Sequence, residues 1–221
     1  MEDRVFNQRE YTYEKLRFSL MCDPATGVQQ IPGYENTIVV DIGGATTTFG
    51  KKGTQPKGAY AILFGPESSY NSAKLLPYKY QPNVQVNTSS SSMASNLHKE
   101  NLTARQLLPL YATLLSLRDI LPSITLIPPP KRIVFKITTY GEAQGFFEHI
   151  TDSVYTWASY ERNWKNSKGR NVAFELQYRE LHELILAMAE KGVEVKFWAV
   201  DKHKNKAVED MAKRVLGVSC D

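Results

Sequence analysis

Residues 37–45 read Thr-Ile-Val-Val-Asp-Ile-Gly-Gly-Ala, a largely β-branched run whose one charged residue is Asp41 and which ends in two glycines and an alanine. β-branched residues favour strands, so this stretch predicts a buried central strand. An acid placed in this way is typical of a catalytic carboxylate at the end of a strand. An Asp before a glycine turn also commonly stabilises the turn through its side chain, and the stretch alone leaves both interpretations open.

Further stretches predict strands that share a sheet with residues 37–43. Each is bounded by turn residues or alternates with a period of two. They are Gly58–Gly65, Asn83–Thr88, Ile133–Thr139 and Val193–Val200. Gly58–Gly65 is close enough in sequence to pair antiparallel with the first strand.

Apolar residues at helical spacing follow and separate these strands. They predict a helix beginning near Thr103, one or two helices over 142–160, and helices over 172–189 and 207–216. Three strands followed by alternating helices and strands predict an α/β fold with a mixed five-stranded sheet flanked by helices.

The length of 221 residues suits one domain with an additional arm. We predict an arm at 1–35, a domain at 36–221 and an insertion around 66–99. The 42% hydrophobic and 23% charged residues are typical of a globular protein, and the apolar runs are too short for a membrane span. Met1–Arg4 does not begin a secretory signal, and two cysteines form no disulfide framework. These features favour an intracellular protein, nuclear or cytoplasmic, with no membrane partner.

Three later segments occur in a characteristic order. They are Trp157–Asn171, which reads WASYERNWKNSKGRN, then Leu181–Leu184, which reads LHEL, and Phe197–Val200, which reads FWAV. This series resembles type 1 ribonuclease H, in the divergent form common in fungal proteins, over about residues 36–216. The resemblance implies a ribonuclease H-like fold. It also implies an enzyme class, the metal-dependent endoribonucleases that cut the RNA strand of RNA–DNA hybrids with two Mg²⁺ or Mn²⁺ ions held by four carboxylates.

Three of the family's four acids align with single positions of this chain. Asp41 matches the acid of the first strand, Gln106 matches the acid of the following helix, where the charge is absent, and Glu209 matches the acid of the last helix. In addition, His203 matches a loop histidine of many members.

The remaining acid depends on how the fourth strand is aligned. If Trp157 sets the register, Glu142 matches the family's third acid. If the strand itself sets the register, Thr138 or Thr139 takes that position and no acid remains. On the first alignment the metal ligands are Asp41, Glu142 and Glu209.

Each matched residue also has a structural interpretation. Gln106 can complete a capping box with Thr103, and Glu142 can be a first-turn acid that the helix dipole favours. Glu209 can be a solvated helix residue, and His203 a surface histidine among lysines.

The neutral Gln106 bears directly on activity. Two divalent ions stabilise the attacking and leaving oxygens of a phosphodiester only if the carboxylates hold both ions at the right positions. Misplacement by ~1 Å can cost ~100-fold in rate. We therefore expect nuclease activity to be absent or severely impaired.

A basic segment indicates nucleic-acid binding independently of catalysis. Four cations and a tryptophan lie close together: Arg162, Trp164, Lys165, Lys168 and Arg170. In the resembling family this region grips the hybrid, and such a patch supplies sequence-independent, salt-dependent contacts to phosphate. A charge run is also commonly a solvated face.

These features predict a degenerate ribonuclease H-like protein that binds RNA–DNA hybrid or double-stranded RNA by its A-form shape. One alternative is a weak Mg²⁺- or Mn²⁺-dependent hybrid ribonuclease. A third possibility is a scaffold for a protein partner, since a fold does not fix a function.

Overall fold

The computed structural model of the protein describes residues 4–6, 20–47, 57–77, 107–124, 126, 129–138, 143–159 and 161–219. Within these ranges seven strands form one sheet. The strands are β1 (Met21–Cys22), β2 (Gln29–Ile31), β3 (Tyr34–Thr46), β4 (Gly58–Leu63), β5 (Ser72–Leu75), β6 (Arg132–Thr138) and β7 (Glu194–Val200).

The strand β3 is the centre of the sheet. It pairs antiparallel with β4, where Asp41 lies opposite Leu63, and parallel with β6, where Asp41 lies opposite Lys136. β5 pairs with β4 and β7 pairs in parallel with β6, which gives the order β5-β4-β3-β6-β7. The prediction that residues 37–43 and the strand expected at 133–139 are neighbours in a mixed sheet is confirmed for the described part of that strand, which ends at Thr138.

The helices lie between and after the parallel strands. Residues 107–115 form α1, which continues into a π-helical turn at Ser116–Ile120 and a 3-10 turn at Leu121–Ser123. The others are α2 (Ala143–Glu148), a π-helical turn (His149–Ser153), α3 (Val154–Ala158), α4 (Glu175–Glu190) and α5 (Lys206–Leu216).

Each face of the sheet is covered by helices because alternate residues of its strands point to opposite sides. On one face, the core joins Ile38, Val40 and Ile42 of β3 to buried leucines of α1 and α4. On the other face, α5 packs through Val208 and Ala212 against alanines of β4. The prediction that helices flank the sheet is confirmed, and the described part of the helix expected near Thr103, from residue 107 onward, packs across one face.

A strand forms in a segment where the sequence predicts none. The expected strand Asn83–Thr88 lies outside the described residues and stays a prediction, while Ser72–Leu75, within the segment assigned to an insertion, is a strand. Its Ala73 pairs with Ala61 of β4. This short, partly exposed segment has little hydrophobic pattern of its own, so it becomes a strand through pairing with β4.

The described parts of the N-terminal arm enlarge the sheet beyond the five strands expected. β2 pairs antiparallel with β3, and β1 pairs with β2. Val5 forms a parallel bridge with Phe197 of β7, and the ring of Phe6 lies 5.4 Å from that of Trp198. None of the helices seen in the described ranges has the length and apolar character needed to cross a membrane.

Candidate nucleic-acid site

Asp41 lies on the central strand, but its carboxylate is buried and already paired. Nζ of Lys136 lies 2.8 Å from Oδ1 of Asp41, and the side chains of Lys136 and Asp41 are 10% and 7% exposed. The two residues are direct neighbours in the parallel pairing of β3 with β6, so their side chains leave the sheet on the same face. A carboxylate and an ammonium are thus held against each other by the sheet itself.

The surroundings of Asp41 act on its pKa in opposite directions. Burial raises the pKa of Asp41 above its ordinary value, because it disfavours the charged form. Lys136, and to a smaller extent Gln29, oppose this effect. Gln29 is a buried residue of β2, so the arm contributes to the environment of Asp41.

A second polar contact lies further along β6 on the same face. Oγ1 of Thr138, the last residue of β6, donates a hydrogen bond of 3.3 Å to Oε1 of Glu209 in the first turn of α5. Burial raises the pKa of Glu209, while Lys202, the Thr138 hydrogen bond and Lys213 lower it. Thr138 and Glu209 are therefore brought together at the end of β6.

Close packing of α5 on β3 places Glu209 there. A Cβ on Gly43 would lie 2.7 Å from Cγ1 of Val208 and 3.2 Å from the backbone nitrogen of Glu209. The buried Asn205 precedes α5, and its Nδ2 donates to the carbonyl oxygen of Ile42 at 2.8 Å. Gly43 thus allows a close helix contact and does not form a turn, since β3 continues to Thr46.

Three of the predicted positions, Gln106, Thr139 and Glu142, fall outside the described residues. The choice between Glu142 and the strand threonines therefore stays a prediction. His203 is described and exposed, on a 3-10 turn at Lys202–Asn205. Across the described ranges, no group of three or more His, Cys, Asp or Glu side chains is arranged to hold a metal ion.

The basic segment forms a compact hairpin at residues 165–171. Lys165 and Asn171 form an antiparallel bridge, and Asn166 N donates to Arg170 O at 2.9 Å. Oδ1 of Asn166 accepts hydrogen bonds from the backbone N–H groups of Lys168, at 2.9 Å, and Arg170, at 3.1 Å. The cations Lys165, Lys168 and Arg170 are exposed on this ordered turn, and Arg162 is exposed just before it.

Trp164, which the sequence groups with the nucleic-acid-binding cations, is a buried residue. It is 6% exposed, and its ring lies 5.1 Å from the guanidinium of Arg179 and 6.2 Å from the ring of His182, both on α4. Its backbone bonds to Trp157 and Val172 close the base of the hairpin. Trp164 therefore fixes the hairpin on α4.

A second exposed basic group lies at the start of α5. Lys202, Lys204 and Lys206 are exposed, and the buried Asn205 holds this turn against β3. Lys202 is close enough to Glu209 for its charge to lower the pKa of that carboxyl, against the larger effect of burial. Cations thus lie close to the Thr138–Glu209 contact.

Sequence reasoning missed Lys136, although the sequence contains a signal for it. Lys136 interrupts the apolar run Ile133–Ile137, and a buried cation needs an opposite charge nearby. Asp41 is the acid of the neighbouring central strand. Their pairing therefore follows once the two strands are known to be adjacent and in register.

Comparison with known proteins informs the fold. No protein-family model matches the chain. No curated protein gives a significant match. Among solved structures, a foamy viral protease-reverse transcriptase in complex with RNA/DNA hybrid matches with a TM-score of 0.50 and 10% sequence identity. The match covers 93% of this chain but only 23% of that chain.

At such low identity the likeness concerns the fold alone. Three antiparallel strands, β3 to β5, are followed by helix, parallel strand, helices, parallel strand and helix. This order and the structural match agree with the fold expected from the sequence. The protein has a ribonuclease H-like α/β fold.

Proposed function

We propose that this protein binds nucleic acid of A-form shape, RNA–DNA hybrid or double-stranded RNA, without cleaving it efficiently. The observation that carries the proposal is the ordered basic hairpin, which presents Lys165, Lys168 and Arg170 to solvent from a turn fixed by Asn166. Cations on a preorganised turn can contact phosphates without losing much conformational freedom.

The site around Asp41 supports the second half of the proposal. Its carboxylate is paired with Lys136, and the neighbouring strand-end position carries the uncharged Thr138. Gln106 adds no charge at the position that the resemblance assigns to a helix acid. Hydrolysis by two metals needs more negative charge than these residues supply.

Hybrid binding across a range of salt concentrations tests the proposal. Replacement of Lys165, Lys168 and Arg170 by Ala should weaken binding and reduce the slope of log K against log salt by about 0.7–0.9 for each lost phosphate contact. The matched control replaces three exposed lysines elsewhere, Lys57, Lys131 and Lys191, and changes the net charge equally. Its slope should stay close to that of the unmodified protein.

Two outcomes would reject the binding proposal. Equal loss in both triple variants would mean that only net charge matters. A flat titration of the unmodified protein with hybrid, double-stranded RNA and DNA at low salt would favour a scaffold for a protein partner.

A weak metal-dependent hybrid ribonuclease is the second candidate. It is favoured by the partly buried Glu209 of α5, whose carboxylate meets Thr138 at the end of β6, with Asp41 and Glu142 as further acids. Mg²⁺- or Mn²⁺-dependent cleavage that disappears in Asp41→Asn would establish it. Under the first proposal cleavage stays near background, and Gln106→Glu recovers some of it only if Glu142 and Glu209 both reach the site.

A further inference from the structure

Lys136 is a cation in the middle of a buried strand. Residues 133–138 of β6 are all buried, with β3 on one side and β7 on the other. Moving an ammonium group from water to such a place costs free energy unless an opposite charge lies beside it. The carboxylate of Asp41, 2.8 Å away, is that charge.

We propose that the ammonium of Lys136 takes the place of a divalent metal beside Asp41, so that Asp41 is an ion-pair partner and not a metal ligand. This inference refines the second half of the proposed function, the lack of efficient cleavage, and rests on that half alone. It also departs from the assignment of Asp41 to a metal site that the sequence resemblance implies. The residues around Asp41 therefore do not fit Mg²⁺ or Mn²⁺.

Distances support the exclusion of a divalent ion from Asp41. Mg²⁺ binds carboxylate oxygens at about 2.0–2.1 Å, so an ion on Oδ1 would lie within about 5 Å of Nζ of Lys136. Two cations at this separation repel each other strongly in a buried environment, where little water screens them. The ammonium group is covalently attached to the chain and cannot dissociate as a metal ion can. It therefore stays beside the carboxylate of Asp41.

The register makes the pairing a property of the fold. Asp41 and Lys136 face each other through backbone pairing that extends from Thr37–Arg132 to Ile42–Ile137. Burial leaves the Lys136 side chain little room to turn away from Asp41. Removing the charge of Lys136 is therefore the smallest change that would leave the Asp41 carboxylate without its ion-pair partner.

Calorimetric titration with Mn²⁺ and thermal unfolding with millimolar Mn²⁺ or with EDTA test the inference. The unmodified protein should show no saturable heat that depends on Asp41, and its Tm should be the same in both conditions. Lys136→Met keeps most of the side-chain volume but leaves Asp41 uncompensated. We expect its Tm to fall in EDTA and to rise again with Mn²⁺.

Two further variants separate charge from packing. Asp41→Asn leaves a buried cation alone and should lower Tm with no recovery by Mn²⁺. The double variant Asp41→Asn, Lys136→Met has neither charge and should be more stable than Lys136→Met in EDTA. If Lys136→Met does not fold, the double variant and the titration of the unmodified protein still decide.

Saturable Mn²⁺ binding by the unmodified protein that is lost in Asp41→Asn would overturn the inference. So would a Lys136→Met variant as stable as the unmodified protein and indifferent to Mn²⁺. Hybrid binding measured in EDTA on the same preparations tests the proposed function separately. Absence of hybrid binding with a flat Mn²⁺ titration would reject that function and leave the Lys136 assignment standing.

Discussion

Arg4 and His182, 178 positions apart in sequence, lie in direct contact: Nη2 of Arg4 is 3.0 Å from Nδ1 of His182. Arg4 is 3% exposed, lies over the ring of Tyr155 and donates from Nη1 to the carbonyl oxygen of Ile150. An arginine is always a donor, so Nδ1 of His182 is the acceptor and its ring is neutral. The contact ties the N-terminal segment to α4.

This contact predicts a pH-dependent stability. Burial, and next the charge of Arg4, lower the pKa of His182 below its ordinary value. The unfolded chain therefore binds the His182 proton more readily, and the free energy of unfolding falls as the pH drops below ~6.5. Among the described residues, Arg4 is the charged group that shifts this pKa, and Tyr155 and Trp164 supply the neighbouring rings.

Comparison of His182→Gln with the unmodified protein at pH ~7.5 and ~5.5 measures this effect. Gln keeps an acceptor for Arg4 but does not titrate, so the Tm of the variant should fall less than that of the unmodified protein when the pH is lowered. His149, whose pKa burial also lowers, is present in both proteins and cancels. The exposed His203→Gln is the control, and equal losses in all three proteins would contradict the prediction.

Gly43→Ala should destabilise the protein by about 1–3 kcal/mol, because the added Cβ would meet Val208 Cγ1 at 2.7 Å and force α5 away from β3. Gly58→Ala is the milder control, since its Cβ would approach the end of the Leu108 side chain at 3.3 Å and Leu76 at an ordinary contact distance of 3.8 Å. Val208→Ala added to Gly43→Ala should relieve part of the strain. Urea unfolding of the four proteins checks this, and a Gly43→Ala midpoint equal to the control would refute it.

Trp164→Phe should lower the free energy of unfolding while leaving hybrid affinity within about twofold of the unmodified protein. The reason is that Trp164 is buried against Arg179 and His182 and anchors the hairpin. A base-stacking aromatic would instead contribute about 1–3 kcal/mol to binding. Unfolding and binding are measured on the same variant, and lost affinity with unchanged stability would show that Trp164 contacts nucleic acid.

Asn166→Ala should weaken hybrid binding by roughly threefold to tenfold without removing a charge. Two backbone hydrogen bonds that shape the turn are lost, and each contributes about 1 kcal/mol to the turn's order. Global Tm should change little, since the turn is exposed. Ser167→Ala in the same turn is the control. An unchanged affinity in Asn166→Ala would indicate that the hairpin cations need no fixed geometry.

The helix boundaries show what the local sequence pattern does not predict. The predicted helix over 172–189 forms at Glu175–Glu190, because Val172 donates to Trp164 O and Phe174 adopts a left-handed φ of 58°. The segment 142–160, for which one or two helices are expected, is helical from Ala143 to Ala158 with a π-helical turn inside it. Periodicity locates a helix, but contacts with the preceding loop set its first residue.

The sequence by itself determined the central strands, the helices and their order, because apolar runs and their period reflect local burial. It also identified the basic segment, whose cations the structure finds exposed. Only the tertiary structure decided that Ser72–Leu75 is a strand, that Trp164 is buried and that Asp41 is neutralised by Lys136. The reason is that each of these three features depends on which backbone or side chain lies against the residue. Such contacts, including those set by strand register, join residues far apart in sequence.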